Sequence, residues 1–317
     1  MDRPTNVTVR ADLTQYAFGL MQDVKEAMEI IQMLSPVVPT GGTSGLYNEF
    51  DGTQAFKEYA EAQIRRAIGG QATEIGLLSS TANYNVHPNG LRIKIDEFER
   101  KQAAEGNMVL LEQSKTRTLT INSVVSQLAH IITKTRAAVS ATAGAGAWNE
   151  ANVDPIAELN AAIKAVWLAT GVVPNKCAID FGAWCVMSGN KNILERMPGA
   201  DIAAVNPGRI KSMLVNPDID IRIVKTAGLT GGGLGNAAAT KRGSLQGSAF
   251  VFYNSDMATP YDPSFCKTFS PSGTLFTDVY TYREEPHFDW YENNWESDTQ
   301  IVSASLCKRI DVTGASS

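Results

Sequence analysis

NMVLLEQSKTRTLTINSVVSQLAHIITKTRAAVSA, residues 107–141, decides how the rest of the chain can be arranged. Its apolar residues Ile121, Val124, Val125, Leu128, Ile131 and Ile132 recur at i, i+3, i+4 and i+7, the spacing of a helix with one apolar face. Lys115, Arg117, Gln127, Lys134 and Arg136 fall on the opposite face. No glycine or proline interrupts the run after Gly106, so about 35 residues at about 1.5 Å each predict a helix on the order of 50 Å long. Such a helix suits a beam spanning a flat domain. The plainer alternative is an ordinary bundle or coiled-coil helix. Thr116, Thr118 and Thr120 break the apolar register, which counts against a free coiled coil.

Just ahead of this helix, YNVHPNGLRIKID (residues 84–96) predicts a turn at Pro88-Asn89-Gly90. A strand follows, in which Leu91, Ile93 and Ile95 alternate with Arg92, Lys94 and Asp96. EFERKQAA then leads into the long helix. Residues 35–83 are rich in turn formers and poor in core formers. They predict a long excursion: a strand ending near Phe50, a short polar helix over Gln54–Ile68 closed by Gly69-Gly70, and a return. Residues 13–34 read as an amphipathic helix through Leu13, Leu20, Met21, Val24, Met28 and Ile31, with Asp12 as its cap and Ser35-Pro36 as its stop. It either covers core within the chain or packs on a neighbour. Residues 1–12 are polar and read as an extended arm.

Beyond the long helix, AGAGAWNE (residues 143–150) is a small-residue connection and the best domain boundary. Asp154-Pro155 starts a helix with Ile156, Leu159, Ile163, Val166 and Trp167 inward, stopping at Gly171. A strand over Lys176–Asp180, a helix through Trp184 and Met187, and one more turn over Ile193–Met197 come next. Strands are predicted at Ile219–Val224, Phe250–Tyr253, Thr274–Tyr282, His287–Tyr291 and Gln300–Arg309, with GLTGGGLGN (residues 228–236) as loop. The fold class is α+β, without an internal repeat.

The 317 residues allow one large or two ordinary domains with ample core. A net charge of −5 with well-mixed signs, and no run of Lys or Arg, excludes a nucleic-acid binder by bulk electrostatics. MDRPTNVTVRADLTQY lacks the apolar centre of a signal peptide, and no stretch approaches the roughly 18 apolar residues of a membrane span. A cytoplasmic, membrane-free protein is expected. Cys177, Cys185, Cys266 and Cys307 form no CxxC pair, so reduced, mostly buried thiols are expected.

Catalytic readings fail one at a time. Gly231, Gly232, Gly233 and Gly235 resemble a phosphate cradle, yet no GK[ST] follows. His87, His130 and His287 make no ligand set, and Ser44 in GTSG lacks the GxSxG elbow. Glu284, Glu285, Asp289, Glu292, Glu296 and Asp298 fit no EF-hand spacing. Alternating with Phe288, Trp290, Tyr291 and Trp295, they read as a solvated acidic face. No catalytic, cofactor or metal site is assigned.

Taken in order, the elements resemble the major capsid proteins of tailed bacteriophages, the Hong Kong 97-like fold. WNEANVDPIAELNAAIKAVWLATGVVPNKCAIDFGAWCVMSGNKNILERM (residues 148–197) carries the likeness furthest, as the opening of an axial domain. SAFVFYNSDMATPYDPSFCKTFSP (residues 248–271), followed by a β return ending in DTQIVSASLCKRIDV (residues 298–312), also fits. The resemblance implies an N-terminal arm (1–34), an extended hairpin or E-loop (35–83) and a peripheral domain with a spine helix (84–144). It further implies an axial domain (145–265), peripheral return strands (266–296) and a C-terminal strand and tail (297–317).

The implied function is self-assembly into hexamers and pentamers. These would form an icosahedral virion shell around double-stranded DNA, built in the host cytoplasm with scaffold, portal and decoration partners. The short segment ahead of the E-loop implies a separate scaffold or a processed product. Intersubunit contact candidates on the E-loop are the aromatics Tyr47, Phe50, Phe56 and Tyr59 with Lys57, Arg65 and Arg66 as charge partners. Some relatives cross-link Lys to Asn, but nothing around Lys57 identifies a partner. The alternatives are an encapsulin-type compartment, another virion protein such as a tail tube, and a soluble enzyme or binding protein.

Overall fold

The computed structural model describes residues 8–10, 12–13, 17, 25–50, 60–74, 79–103, 107–143, 148–150, 152–196, 205–230, 240–273, 278–285 and 287–312. Among these, the long helix α4 runs over Met108–Ala138, 31 residues or about 46 Å. It ends three residues earlier than its pattern suggests because Ala141–Ala143 form a strand, β6. To keep one numbering along the chain, the remaining elements are β1 (Thr8–Val9), α1 (Lys25–Leu34), β2 (Val37–Pro39), β3 (Ser44–Phe50), α2 (Glu61–Ile64), β4 (Ser79–Asn85), β5 (His87–Asp96) and α3 (Glu97–Gln102) before α4. After β6 come α5 (Pro155–Thr170), β7 (Lys176–Asp180), α6 (Phe181–Ser188), α7 (Lys191–Glu195), α8 (Pro207–Met213), β8 (Asp220–Val224), β9 (Ala227–Thr230) and β10 (Thr240–Gly243). The chain closes with β11 (Ser248–Phe252), β12 (Cys266–Ser270), β13 (Asp278–Glu285), β14 (Phe288–Ile301) and β15 (Cys307–Asp311).

One sheet takes the order β1-β13-β14-β12-β2, with β5 also on β14. The strand β14 is its axis. Residues 288–297 pair antiparallel with β5, and residues 298–301 with β12. This single strand joins two segments predicted as separate. Its acidic residues acquire partners: Glu292 accepts the Tyr282 hydroxyl at 2.8 Å, and Asp298 is buried. The solvated acidic face expected there is therefore only partly realised.

The turn expected at Pro88-Asn89-Gly90 is absent; those residues lie in β5, opposite Glu296, Trp295 and Asn294. The strand has β14 as its sheet partner, so its other edge tolerates a proline without an N–H. At Gly90 a Cβ would meet the end of the Asn294 side chain, with the paired backbone of Asn293 at ordinary contact distance, so the strand accepts the glycine without requiring it. The alternation of Ile95 inside with Arg92 and Lys94 outside is as expected. Both cations stack on aromatic rings, Arg92 on Trp290 and Lys94 on Phe288.

The second sheet has the order β6-β15-β11-β7-β8, covered by α5 to α8 over a core built from Trp148, Leu159, Ile163, Met187 and Ile210. Asp154 caps α5 by accepting Ile156 N–H at 3.1 Å, and Gly171 ends it at φ 73°. Trp167, expected inward, is 47% exposed, because the buried stripe runs through Ile156, Leu159, Ala162, Ile163 and Val166. The glycine-rich segment is flanked by paired strands rather than being loop throughout: Gly228, Leu229 and Thr230 lie in β9, against β10. Residues 231–239 lie outside the described residues.

The long helix holds the two sheets together. Val124, Leu128, Ile131 and Ile132 share a core with Ile30, Ile31 and Leu34 of α1, with Phe250 and Phe252 of β11, and with Trp295 of β14. So α1 covers core within its own chain. Leu13 and Ala17, also helical, join Ile95, Leu119, Val279 and Tyr291. The predicted helical positions Leu20, Met21 and Val24 lie outside the described residues. Gln127, assigned by spacing to the polar face, is buried and accepts Trp295 Nε1–H at 3.0 Å. The register that the threonines interrupt is itself buried. Glu112, Thr116, Thr120 and Ser123 are buried together with Leu119; Glu112 accepts the Tyr291 hydroxyl of the first sheet at 2.8 Å, and Leu119 shares a core with Tyr291 and Ile95.

Candidate assembly surfaces

The excursion between α1 and β5 is a two-stranded hairpin, β3 against β4, in register from Ser44↔Asn85 to Phe50↔Ser79. Its foot is seated on the body. The Tyr84 ring stacks on Phe269 at 4.4 Å between centroids, and Tyr47 lies 5.3 Å from the same ring. At Gly45 a side chain would strike the Tyr84 ring, so a glycine lets the two strands close over it. Backbone bonds from Asn48 N–H to Pro260 O (3.2 Å) and from Phe50 N–H to Val302 O (3.4 Å) lay β3 along the body.

The loop that carries Pro260 is tied down in turn. Lys267, 0% exposed in β12, donates to Asp262 O at 2.6 Å and pairs with its carboxylate at 3.1 Å. Burial pulls the Lys267 ammonium below its ordinary pKa, and the attraction of Asp262 does not fully offset it. Burial pushes Asp262 the other way, but hydrogen bonds from Ser264 and Thr259 and the Lys267 charge outweigh it. Its pKa therefore falls below the usual carboxylate value.

Of the contact candidates, Tyr47 is 3% exposed, with its ring already used within its own chain. Burial, helped by Glu49 beside it, pushes its phenol up to about 12. Phe50 is half-buried against the same cluster. Arg65 and Arg66 are exposed beyond α2, Arg65 in an i,i+4 pair with Glu61 at 2.6 Å. Phe56, Lys57 and Tyr59 lie outside the described residues.

The predicted tip helix over Gln54–Ile68 is described only as α2, four residues. Every residue from 60 to 74 is exposed, including Ile64 at 69% and Ile68 at 107%. Sequence reading passed over these two isoleucines in favour of aromatics. The signal was available: they stand i,i+4, in line with Phe56 and Ala60, in a segment otherwise rich in charged and polar residues. Other exposed apolar side chains cluster by element, namely Phe98 on α3, Val109 and Leu110 on the first turn of α4, and Trp167 and Leu168 on α5.

Among the described residues, no three His, Cys, Asp or Glu stand placed to hold a metal ion, and no helix is long and apolar enough to cross a membrane. The three histidines are exposed and stand apart in the chain, His87 in β5, His130 in α4 and His287 just before β14. Cys177, Cys266 and Cys307 are buried free thiols, and Cys185 is exposed.

No protein-family model and no curated protein sequence matches the chain. Solved structures do. A phage-related protein from Bordetella bronchiseptica superposes with a TM-score of 0.69 at 15% identity, covering 98% of this chain and 99% of that one. A capsid protein of an E. coli prophage superposes with a TM-score of 0.55 at 8% identity, over 98% and 100% of the two chains. This chain has the Hong Kong 97-like capsid fold. An encapsulin complex from Synechococcus elongatus shares that capsid fold at a TM-score of 0.51 and 9% identity, over 90% and 88%. Along this chain the elements run in the order hairpin, long helix, second sheet and the strands that rejoin the first sheet.

Proposed function

We propose that this chain is the shell-forming subunit of a tailed phage head, assembling into hexamers and pentamers that close around double-stranded DNA. The observation that carries the reading is the capsid fold over nearly the whole chain, together with a hairpin whose exposed tip bears apolar and basic side chains. Ile64, Ile68, Arg65 and Arg66 are suited to a neighbouring subunit, where apolar burial and charge pairing would favour association. Head-to-tail contacts of this kind close into rings, and rings into a shell. In this reading residues 1–34 are the arm and 35–83 the E-loop. Residues 84–144 with 266–296 make the peripheral domain, 145–265 the axial domain and 297–317 the closing strand and tail. Scaffold, portal and decoration proteins would be its partners, in the cytoplasm of the host. The chain does no chemistry of its own in this role.

A second reading is favoured by the encapsulin neighbour: the same shell built to hold protein cargo. Electron microscopy of the purified protein beside size-exclusion chromatography tests both. Closed particles or isolated hexamers and pentamers are expected, with nuclease-protected DNA in virions. Particles holding copurified protein and no nucleic acid would select the compartment. A lasting monomer whose residues 60–74 resist protease would overturn both, because a tip left exposed by its own chain should be cut.

A further inference from the structure

The strand β14 changes neighbours at one residue. Ser297 still pairs with His87 of β5, and Asp298 already pairs with Phe269 of β12. The hairpin leaves the sheet at this gap. Asp298 is 7% exposed, and its carboxylate accepts the Asn85 N–H at 2.8 Å, the last residue of β4. The same oxygen accepts Gln300 Nε2–H at 2.8 Å. The other oxygen lies 3.6 Å from Lys134 Nζ on α4, which also donates to Thr299 O at 2.6 Å. One residue on, Val86 N–H donates to Thr43 O at 2.7 Å and closes the foot of the hairpin.

We infer that Asp298 is a positioning residue that sets the direction in which the hairpin leaves the body, coupling it to the long helix through Lys134. The side chain takes the place of a sheet partner where β5 has stopped and β12 has begun. A backbone N–H would otherwise be left at a corner that also carries Tyr84 and Val86, both buried. A carboxylate suits the post because it accepts from Asn85 and Gln300 while facing a lysine on the helix. Motion of α4 against the sheet is thereby transmitted to β4. The inference rests on the assembly reading for its purpose, but its geometry belongs to the single subunit.

Hydrogen exchange on the unassembled subunit tests it. In Asp298→Ala, and in Asp298→Ser should the alanine variant fold poorly, the amides of residues 79–86 should exchange roughly ten- to a hundredfold faster, as expected for a lost charged hydrogen bond. Amides of β7 and β11 should not change. Asp298→Asn keeps an oxygen acceptor and should stay within about threefold of the natural chain. Unchanged exchange at Asn85 in the Ala or Ser variant would overturn the inference. So would equal acceleration throughout the body, which would mark a merely structural residue, or an Asn variant as unprotected as Ala. A natural chain that stays monomeric with residues 60–74 resistant to protease would defeat the assembly reading and leave these exchange results standing.

Discussion

Tyr47 serves the hairpin foot twice, with its ring against Phe269 and its hydroxyl toward Glu49 at 3.5 Å. Its folded phenol pKa of about 12 lies above the ordinary 10, so the proton is held more tightly in the folded state. The sign follows from linkage: this stability is fully present below pH 10 and is lost as pH rises toward about 12. Tyr47→Phe keeps the ring and removes the titration. Urea denaturation at pH 9 and pH 11 should show the natural chain losing on the order of 1 kcal/mol more than the variant between the two. Equal losses would show that the phenol does not titrate in the folded state. Nothing in the sequence around Tyr47 separates an inward from an outward tyrosine, because the ring it meets is more than two hundred residues away. Gln127 was misplaced for the same reason: spacing gives the face, and only Trp295 across the interface explains why a glutamine is welcome there.

At the scale of elements, the long helix divides into two halves with opposite responses to substitution. Its C-terminal half packs with apolar side chains, and Leu128 is fully buried. Leu128→Ala should cost about 2–5 kcal/mol in chemical denaturation. In the N-terminal half, the Thr116 and Thr120 hydroxyls are buried with no hydrogen-bond partner among the described residues. Thr116→Val keeps the shape and removes a polar group taken from water without compensation. It should be neutral or stabilise by up to about 1 kcal/mol. A loss comparable with Leu128→Ala would show that the hydroxyl has a partner. The caps of α5 make a plainer case. Asp154→Ala should cost about 1–2 kcal/mol and Gly171→Ala about 1 kcal/mol, each lowering the melting temperature by a few degrees. These caps were legible because a helix end needs particular residues at particular places. Pro88 and Gly90 misled for a complementary reason: both are turn formers, and both are tolerated on a strand that, among the described residues, pairs on one edge alone. The cap at α8 was equally readable, with Asn206 accepting Arg209 N–H at 2.9 Å before Pro207, yet it was passed over.

At the scale of the molecule, the order of elements carried the fold. Each local pattern was weak, but the succession of excursion, beam, second sheet and return admits few arrangements. What order could not say is how much of the excursion is body and how much is projection. The structure divides it: residues 44–50 lie along the body, and residues 60–74 stand clear of it. If the clear part holds a neighbour, its apolar side chains contribute to assembly and not to folding. Ile64 and Ile68 are exposed in the single chain, so Ile64→Ser with Ile68→Ser should shift the denaturation midpoint by no more than about 0.5 kcal/mol of stability. Burying each isoleucine against a neighbour contributes about 1.5–3 kcal/mol. Losing both should raise the concentration at which particles form by about a hundredfold or more. Light scattering against protein concentration, with the melting curve as control, reads the two quantities separately. A double variant that assembles at the natural concentration would place the decisive contacts elsewhere, with the exposed apolar side chains at the start of the long helix as the next to substitute. A double variant that melts early would mean that the tip is covered by its own chain after all.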